Sequence, residues 1–385
     1  MAINDLDVVQ ASTILNAAVA QATGGAAATL DTKDFVTVAT TALKVGYDKL
    51  QTGLSQVLSR TIFAARPYSR RFKILEADAL RYGNHVRKVN YLDKALVPDP
   101  AYGLTTGSSV DMYVVNKPEV IQSNFYGYNT FDYYFTVYKE QLNMALRGPE
   151  EWAGWLGGLM QHAQNQMEQA HEESGRMTVL NLIGGSSTNV KLITAYNAVT
   201  GLTLTIANIF DPANFPDFAR FVFATLATYS RALQARTYLY HTNLTAGNIM
   251  RATPVEDQRL IMHAYFMDMV RSMVMSTTFH DELLKLIPNE EITFWQTPSS
   301  IWDIDIDANY LKADGTIDTQ AFSADDTAPV VAVMFDKDAA GYTTMGQSYD
   351  VTPYNVAGKY WNHGWSFQDR YWNDFTENSI VFTLD

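Results

Sequence analysis

Cysteine is absent from this 385-residue chain, so disulfides, thiolate zinc sites and cysteine nucleophiles are excluded outright. Cationic side chains are scarce: 28 Lys and Arg stand against 41 Asp and Glu, a formal net charge of −13. A protein whose main task is gripping nucleic acid neutralises phosphates with Lys and Arg, and this balance runs the other way. No window approaches the roughly 20 apolar residues that a membrane-spanning helix needs. Met1 to Asp7 lacks the basic segment and apolar core of a signal peptide, so neither secretion nor membrane insertion is expected. Gly-x-Ser-x-Gly elbows, phosphate-binding Gly-x-x-x-x-Gly-Lys loops and Gly-x-Gly-x-x-Gly turns are missing too. That removes the familiar hydrolases and nucleotide enzymes, and neither catalysis nor a cofactor is expected.

Two partial motifs carry little. Glu168 and His171 have the Glu-x-x-His spacing of carboxylate-bridged di-iron helices, but no second copy exists, so a solvated helix face is the plainer reading. Asp303, Asp305 and Asp307 resemble the opening of a calcium loop. Ala308 stands where that loop needs glycine, and Ile304 and Ile306 give the alternation of a strand with an acidic face. No metal is expected.

What the chain does have is concentrated at its end. Val330 to Phe335 form a short β-branched apolar run that breaks at Asp336-Lys337-Asp338-Ala339, the pattern of a strand buried on both faces. Residues 354–382 then carry nine aromatics, from Tyr354 and Trp361 to Phe375 and Phe382. Leaving them in water would forfeit roughly 1.5 to 3 kcal/mol for each ring that could be buried, so this tail should close a sheet or an interface. A second aromatic block, Asn124 to Tyr138, is expected to pair with it. Pro149, Glu150 and Glu151 open a helix, apolar residues from Trp152 to Leu180 recur at three- and four-residue steps, and Gly184-Gly185 closes it. Such a rod is about 50 Å long, and Gly157-Gly158 should weaken or bend its first turns.

Upstream, two amphipathic stretches near residues 5–20 and 41–59 are too weakly hydrophobic to bury a core of their own. Residues 76–125 are turn-rich, with strand-like runs at 87–92 and 110–115, and read as a long two-stranded projection with few core residues. Between 191 and 345 the pattern is mixed: a strand pair near Leu192 and residues 202–206, a helix over 216–236, a strand at 237–241, a helix at 281–286, then strands at 291–295, 301–306 and the run at Val330. Five methionines between Met262 and Met275 read as adaptable core.

The apolar strand, Asp336-Lys337-Asp338-Ala339, Asn355 to Gly358, Tyr360-Trp361-Asn362 and the closing Ser379-Ile380-Val381-Phe382 together resemble the end of tailed-bacteriophage major capsid proteins, most nearly those of short-tailed phages. The resemblance implies an α+β fold of the HK97-like type. On it, 1–60 is an N-terminal arm; 61–75, 126–190 and 346–385 form a peripheral domain with a spine helix; 76–125 is an extended loop lying across a neighbour; and 191–345 is an axial domain. It also implies hexamers and pentamers of one chain in an icosahedral shell, a virion location after assembly in the host bacterial cytoplasm, and scaffold, portal and decoration proteins as further partners. Double-stranded DNA would be enclosed without sequence-specific binding, and a net negative wall suits a polymer that must slide in.

Charge is unevenly placed. From Arg60 to Lys94 nine basic residues face three acidic ones, whereas from Pro288 to Asp385 four basic residues face sixteen acidic ones. Such opposite fields could steer identical copies together or could simply pair within one subunit. Arg70, Arg71, Arg81, Arg87, Lys88 and Lys94 are the expected intersubunit contacts. Two rivals stay open at this point: an encapsulin-type compartment, which shares the fold but has a reduced arm, and a carbohydrate-binding protein or unrecognised enzyme that uses the aromatic blocks to stack on sugars.

Overall fold

The computed structural model describes residues 70–77, 85–94, 103–145, 149–245, 249–274 and 289–385, together with Ala17, Tyr68, Leu96, Asp99 and Gly247. The expected arm, apart from Ala17, the helix at 281–286 and Arg81 lie outside the described residues.

The apolar run becomes β9 (Val330–Asp336), buried at every position. It is the middle strand of a five-stranded sheet whose other members are β4 (Asn189–Lys191), β5 (Gln258–His263), β6 (Glu290–Ile292) and β12 (Ser379–Thr383), in the order β4-β12-β9-β5-β6. β9 runs antiparallel to both β12 and β5, and the short outer strands are parallel to their neighbours. Both faces of this sheet are covered. Val331 and Met334 join Ile380, Phe382, Leu260 and Met262 in a core shared with helices. Val333 and Phe335 face the other way with Val381 and Ile261, towards Tyr342 and Trp295. A strand covered on both faces has no polar positions to alternate with, which is why the sequence there is continuously apolar.

Four helices lie on the first face or beside it. Leu192–Thr200 and Phe215–Gln234 are the main ones, with a single turn at Ile206–Ile209 and the helix Ala264–Met269. The expected strand near Leu192 is β4, which ends at Lys191. A helix follows it: Leu192, Ile193 and Tyr196 are buried on one face, and Gly201 ends it in the left-handed region at φ 73°. Residues 202–206 and 237–241 form no strand; Thr237 makes one isolated bridge, to Arg251. Met262 and Met267 are buried in the core.

The helix expected from Pro149 is observed as Pro149–Gly185 and continues through Gly157-Gly158. Its last turn abuts β7 (Ile304–Leu311), which forms a hairpin with β8 (Ile317–Ala324). Side chains there are excluded by contact: a Cβ on Gly184 would lie 2.4 Å from Ala308 Cβ, and one on Gly185 would lie 2.3 Å from the Asn309 carbonyl oxygen. Asp305 and Asp307 are exposed on the outer face of β7 while Ile304 and Ala308 are buried.

From β9 the chain turns at 337–339 into β10 (Ala340–Val351), the first strand of a second sheet, β10-β11-β3. Here the two aromatic blocks pair as expected: β11 (Tyr360–Asn373) runs antiparallel to β3 (Tyr128–Tyr138), with Trp365 opposite Tyr133 and Phe367 opposite Phe131. Trp361, His363, Trp365 and Phe367 are buried on the inner face, whereas Tyr128 and Tyr134 are exposed on the outer one. Phe367 meets His171 of the long helix at 4.8 Å between ring centres. His171 is itself buried, and its Nδ1 lies 2.9 Å from Asp369. The helix face at Glu168–His171 is thus packed on the sheet and not solvated: Glu168 lies 3.6 Å from Arg70, which is also buried.

Candidate assembly surfaces

The projection is anchored by β1 (Val86–Tyr91) paired antiparallel with β2 (Val120–Phe125), Val86 opposite Phe125 and Tyr91 opposite Val120. The second expected strand, at 110–115, does not form, and β2 takes its place ten residues later. The cause is a missing partner: β1 ends at Tyr91, and among the described residues no strand lies opposite Val110 to Val115. A lone strand has no ladder to complete.

Between β1 and β2 every residue from 103 to 119 is exposed. Met112, Tyr113, Val114 and Val115 are 81%, 83%, 61% and 76% exposed. Consecutive large apolar residues at such exposure mark a surface awaiting cover.

The root of this hairpin is bolted down by charge. Lys88 on β1 pairs with Glu377 and, at 2.8 Å, with Asp374, both buried. Arg251 reaches the same Glu377 at 3.0 Å, donates to Asn90 Oδ1 at 3.0 Å and donates through Nε to the Thr376 carbonyl at 3.0 Å. Burial works against the Lys88 ammonium, but the pull of Asp374 and Glu377 outweighs it and holds its pKa above the ordinary lysine value. Burial pushes the Glu377 carboxyl up, against the lowering pull of Lys88 and Arg251. Two residues past β1, Asp93 accepts from Arg236 and, at 2.6 Å, from the Met250 backbone N–H. The projection is therefore a directed strut, fixed at its base and bare at its end.

The six expected contact residues separate into distinct environments. Arg70 is buried, held by Glu76 and Glu168, with its guanidinium 5.8 Å from the Tyr342 ring. Lys88 is committed to the root cluster. Arg71 is exposed, 3.8 Å from Glu290. Burial lifts the Glu290 carboxyl to about 6, against the lowering charge of Arg71. Lys94 is half exposed and donates to the Lys117 carbonyl at 2.8 Å across the hairpin. Arg87 is exposed with no ion pair among the described residues, and Arg81 is not described. Part of the basic stretch is thus spent on acidic residues of the chain's own last third.

Sequence reasoning passed over Asp93, Asn90 and Arg251, which no motif marks. The bare stretch at Met112 to Val115 had a legible signal: an apolar run fenced by Pro98, Pro100 and Pro118. Among the described residues no cluster of His, Asp and Glu could hold a metal ion, and no helix is long and apolar enough to cross a membrane.

Comparison with solved structures gives the class. The fold matches the capsid structure of Staphylococcus phage Andhra with a TM-score of 0.54 at 10% identity, over 85% of this chain and 87% of that one. It also matches a chain in the structure of the head fiber and inner core protein gp22 of native bacteriophage P68, with a TM-score of 0.52 at 11% identity, over 84% and 88%. At such identity the fold alone is shared, and it is the HK97-like α+β fold of phage capsids. No curated protein matches the sequence. The chain belongs to the Phi29-like phage major capsid protein family, whose model matches residues 6–383. It is a structural protein of the phage head, self-associating into a shell and located in the virion, and the family favours this over the encapsulin-type and carbohydrate-binding alternatives.

Proposed function

We propose that this subunit, acting mechanically and without catalysis or cofactor, builds an icosahedral head from hexamers and pentamers around double-stranded DNA. Assembly takes place in the host bacterial cytoplasm, with scaffold, portal and decoration proteins as further contacts. The parts divide as the resemblance implies: residues 1–60 as arm, 76–125 as the loop that crosses a neighbour, 191–345 as axial domain, and 61–75, 126–190 and 346–385 as the peripheral body. The observation that carries this reading is the hairpin, rigid at Lys88 and Asp93 yet wholly exposed beyond Gly103. A net charge of −13 supports a wall that does not adhere to the packed polymer.

Arg87 is the intersubunit cation this reading favours, with Arg71 and Lys94 beside it, since all three are accessible. Reversal of Arg87 separates assembly from folding: Arg87→Glu should leave a soluble, folded subunit that no longer forms shells by electron microscopy. Unchanged shells from that variant would remove Arg87 from the interface.

A further inference from the structure

Beside the long helix lies an open pocket of about 540 Å³. Asn165, Gln169, Glu172, Glu173 and Arg176 line it from one side, and steps of three and four residues put them on one face of that helix. Phe294, Gln296 and Pro298, from the segment that joins β6 to β7, line the other side.

Part of this lining is already paired. Glu172 accepts from Arg176 Nη2 at 2.7 Å and from the Tyr68 hydroxyl at 2.7 Å. Arg176 donates through Nη1 to the Phe294 carbonyl at 2.6 Å and the Trp295 carbonyl at 3.0 Å, with its guanidinium 4.0 Å from the Phe294 ring centre. Gln296 accepts from the Asp305 backbone N–H at 2.7 Å and donates to the Asp305 carbonyl at 3.1 Å. Arg176, the cation among the described lining residues, is thereby spent on the protein's own acceptors.

What remains is of one kind. Asn165 Oδ1 is shielded from solvent and has no hydrogen-bond partner among the described residues. An unpaired buried acceptor carries a free-energy penalty that a donor entering the pocket would relieve. Gln169 gives its amide N–H to Glu173 Oε1 at 3.3 Å, which leaves Gln169 Oε1 and the second oxygen of the exposed Glu173 as acceptors. Three unfilled acceptors, one of them charged, beside an aromatic ring and a proline ring call for a ligand that brings several N–H donors, a positive charge and a short carbon chain. Two carboxylates against one guanidinium favour a cation and oppose an anion. A hard metal ion is poorly matched, since no group of three His, Asp or Glu that could hold one stands together among the described residues.

We infer that this pocket binds an alkylammonium group, with its –NH3+ on Asn165, Gln169 and Glu173 and its carbon chain against Phe294 and Pro298. Two sources carry that group: a free polyamine, or the lysine side chain of another polypeptide. The site is built from side chains of one subunit and stands independently of where the loop at 76–125 is placed.

Isothermal titration calorimetry on the purified full-length chain tests this, at about 0.15 M salt to screen scattered surface attraction. Cadaverine is the probe, pentanediol its uncharged counterpart and Nα-acetyl-lysine amide the stand-in for a lysine side chain. The inference predicts saturable binding of cadaverine at one site and none of pentanediol. Glu173→Gln, at an exposed position that leaves the fold intact, should weaken binding roughly tenfold or more. Asn165→Asp, which puts a charge at the unpaired oxygen, should tighten it roughly threefold or more, an effect that a purely structural Asn165 would not produce. Asp307→Asn, outside the pocket, should leave the affinity unchanged. Cadaverine binding more tightly than the lysine amide supports the inference with a free polyamine as ligand; the reverse order supports it with a lysine of a partner chain. Absence of saturable binding, equal affinity in the native and Glu173→Gln chains, or displacement of cadaverine by an equal concentration of pentanediol or calcium would overturn it.

Discussion

At the scale of single residues, the chain uses burial to fix protonation as firmly as it fixes packing. His263 is fully buried, accepts the Tyr265 N–H at Nδ1 (3.2 Å) and lies 3.1 Å from the Ile301 carbonyl through Nε2, which therefore carries the proton. The Tyr265 N–H requires a free lone pair on Nδ1 and so the neutral ring, and burial, outweighing the opposite pull of the Ile301 carbonyl, holds its pKa down at about 4. His363, stacked on Phe135 at 4.7 Å between ring centres, is held down to about 4 for the same reason. Unfolded histidine binds its proton near 6.5, so between pH 6.5 and 4 the unfolded chain carries more protons than the folded one, and stability falls as pH falls. Each ring contributes on the order of 3 kcal/mol to that loss at the acid end. Glu290 works in the opposite direction: its raised pKa of about 6 favours the folded state below about 4.5, an advantage lost as pH rises through 6. Melting of the unassembled subunit should therefore drop steeply from pH 6.5 to 4, and His363→Gln should flatten the slope by about one proton. An unchanged slope in that variant would mean that His363 titrates normally in the fold.

Lys88 shows what a sequence conceals at this scale. By composition it belongs with Arg87 as one of two adjacent cations, yet alternation along β1 sends Arg87 outward and Lys88 into the buried cluster of Asp374 and Glu377. The partners lie nearly three hundred positions away, which no local pattern reports. Lys88→Glu should cost the subunit roughly 3–5 kcal/mol, since it leaves buried carboxylates without their cation. Arg87→Glu should cost less than about 0.5 kcal/mol, the usual range for an exposed position. Denaturant titration of the two subunits checks this; equal losses would contradict the assignment of Lys88 to the root.

Among elements, legibility followed how local the signal was. The long helix was readable end to end because its proline, its period and its closing Gly184-Gly185 all lie within it. β9 was readable because double-sided burial leaves a continuous apolar run, and the pairing of β3 with β11 because both carry large rings at alternate positions. The helix Leu192–Thr200 gives no such signal, since nine residues with three buried positions fit either period. Val110 to Val115 was misread because strand propensity without a partner makes no strand. Glycine at the helix end has a requirement that periodicity does not show: it lets the helix touch β7. Gly184→Ala should destabilise the subunit by roughly 1–3 kcal/mol through overpacking against Ala308 and Phe322, whereas Gly158→Ala, in open space, should be neutral or stabilising. Thermal melts that reverse this order would mean that the helix end does not pack as described.

For the whole molecule, the decisive feature is an imbalance. A body with one sheet covered on both faces and a fully buried central strand carries a strut whose outer 17 residues, 103–119, are all exposed. The α+β class, the spine-like helix and the place of the projection were all legible, because they follow from element order. The contact surfaces were legible only in outline, because a bare tip acquires meaning when its fixed root is seen on the same body. The measurement that tests this most directly is electron microscopy with sedimentation velocity on the purified chain at high concentration, beside the same chain with residues 103–117 replaced by a short Gly-Ser turn. The account predicts rings and closed shells from the first and a soluble single subunit from the second. A full-length chain that stays a lone compact particle, or a shortened one that assembles equally well, would contradict it.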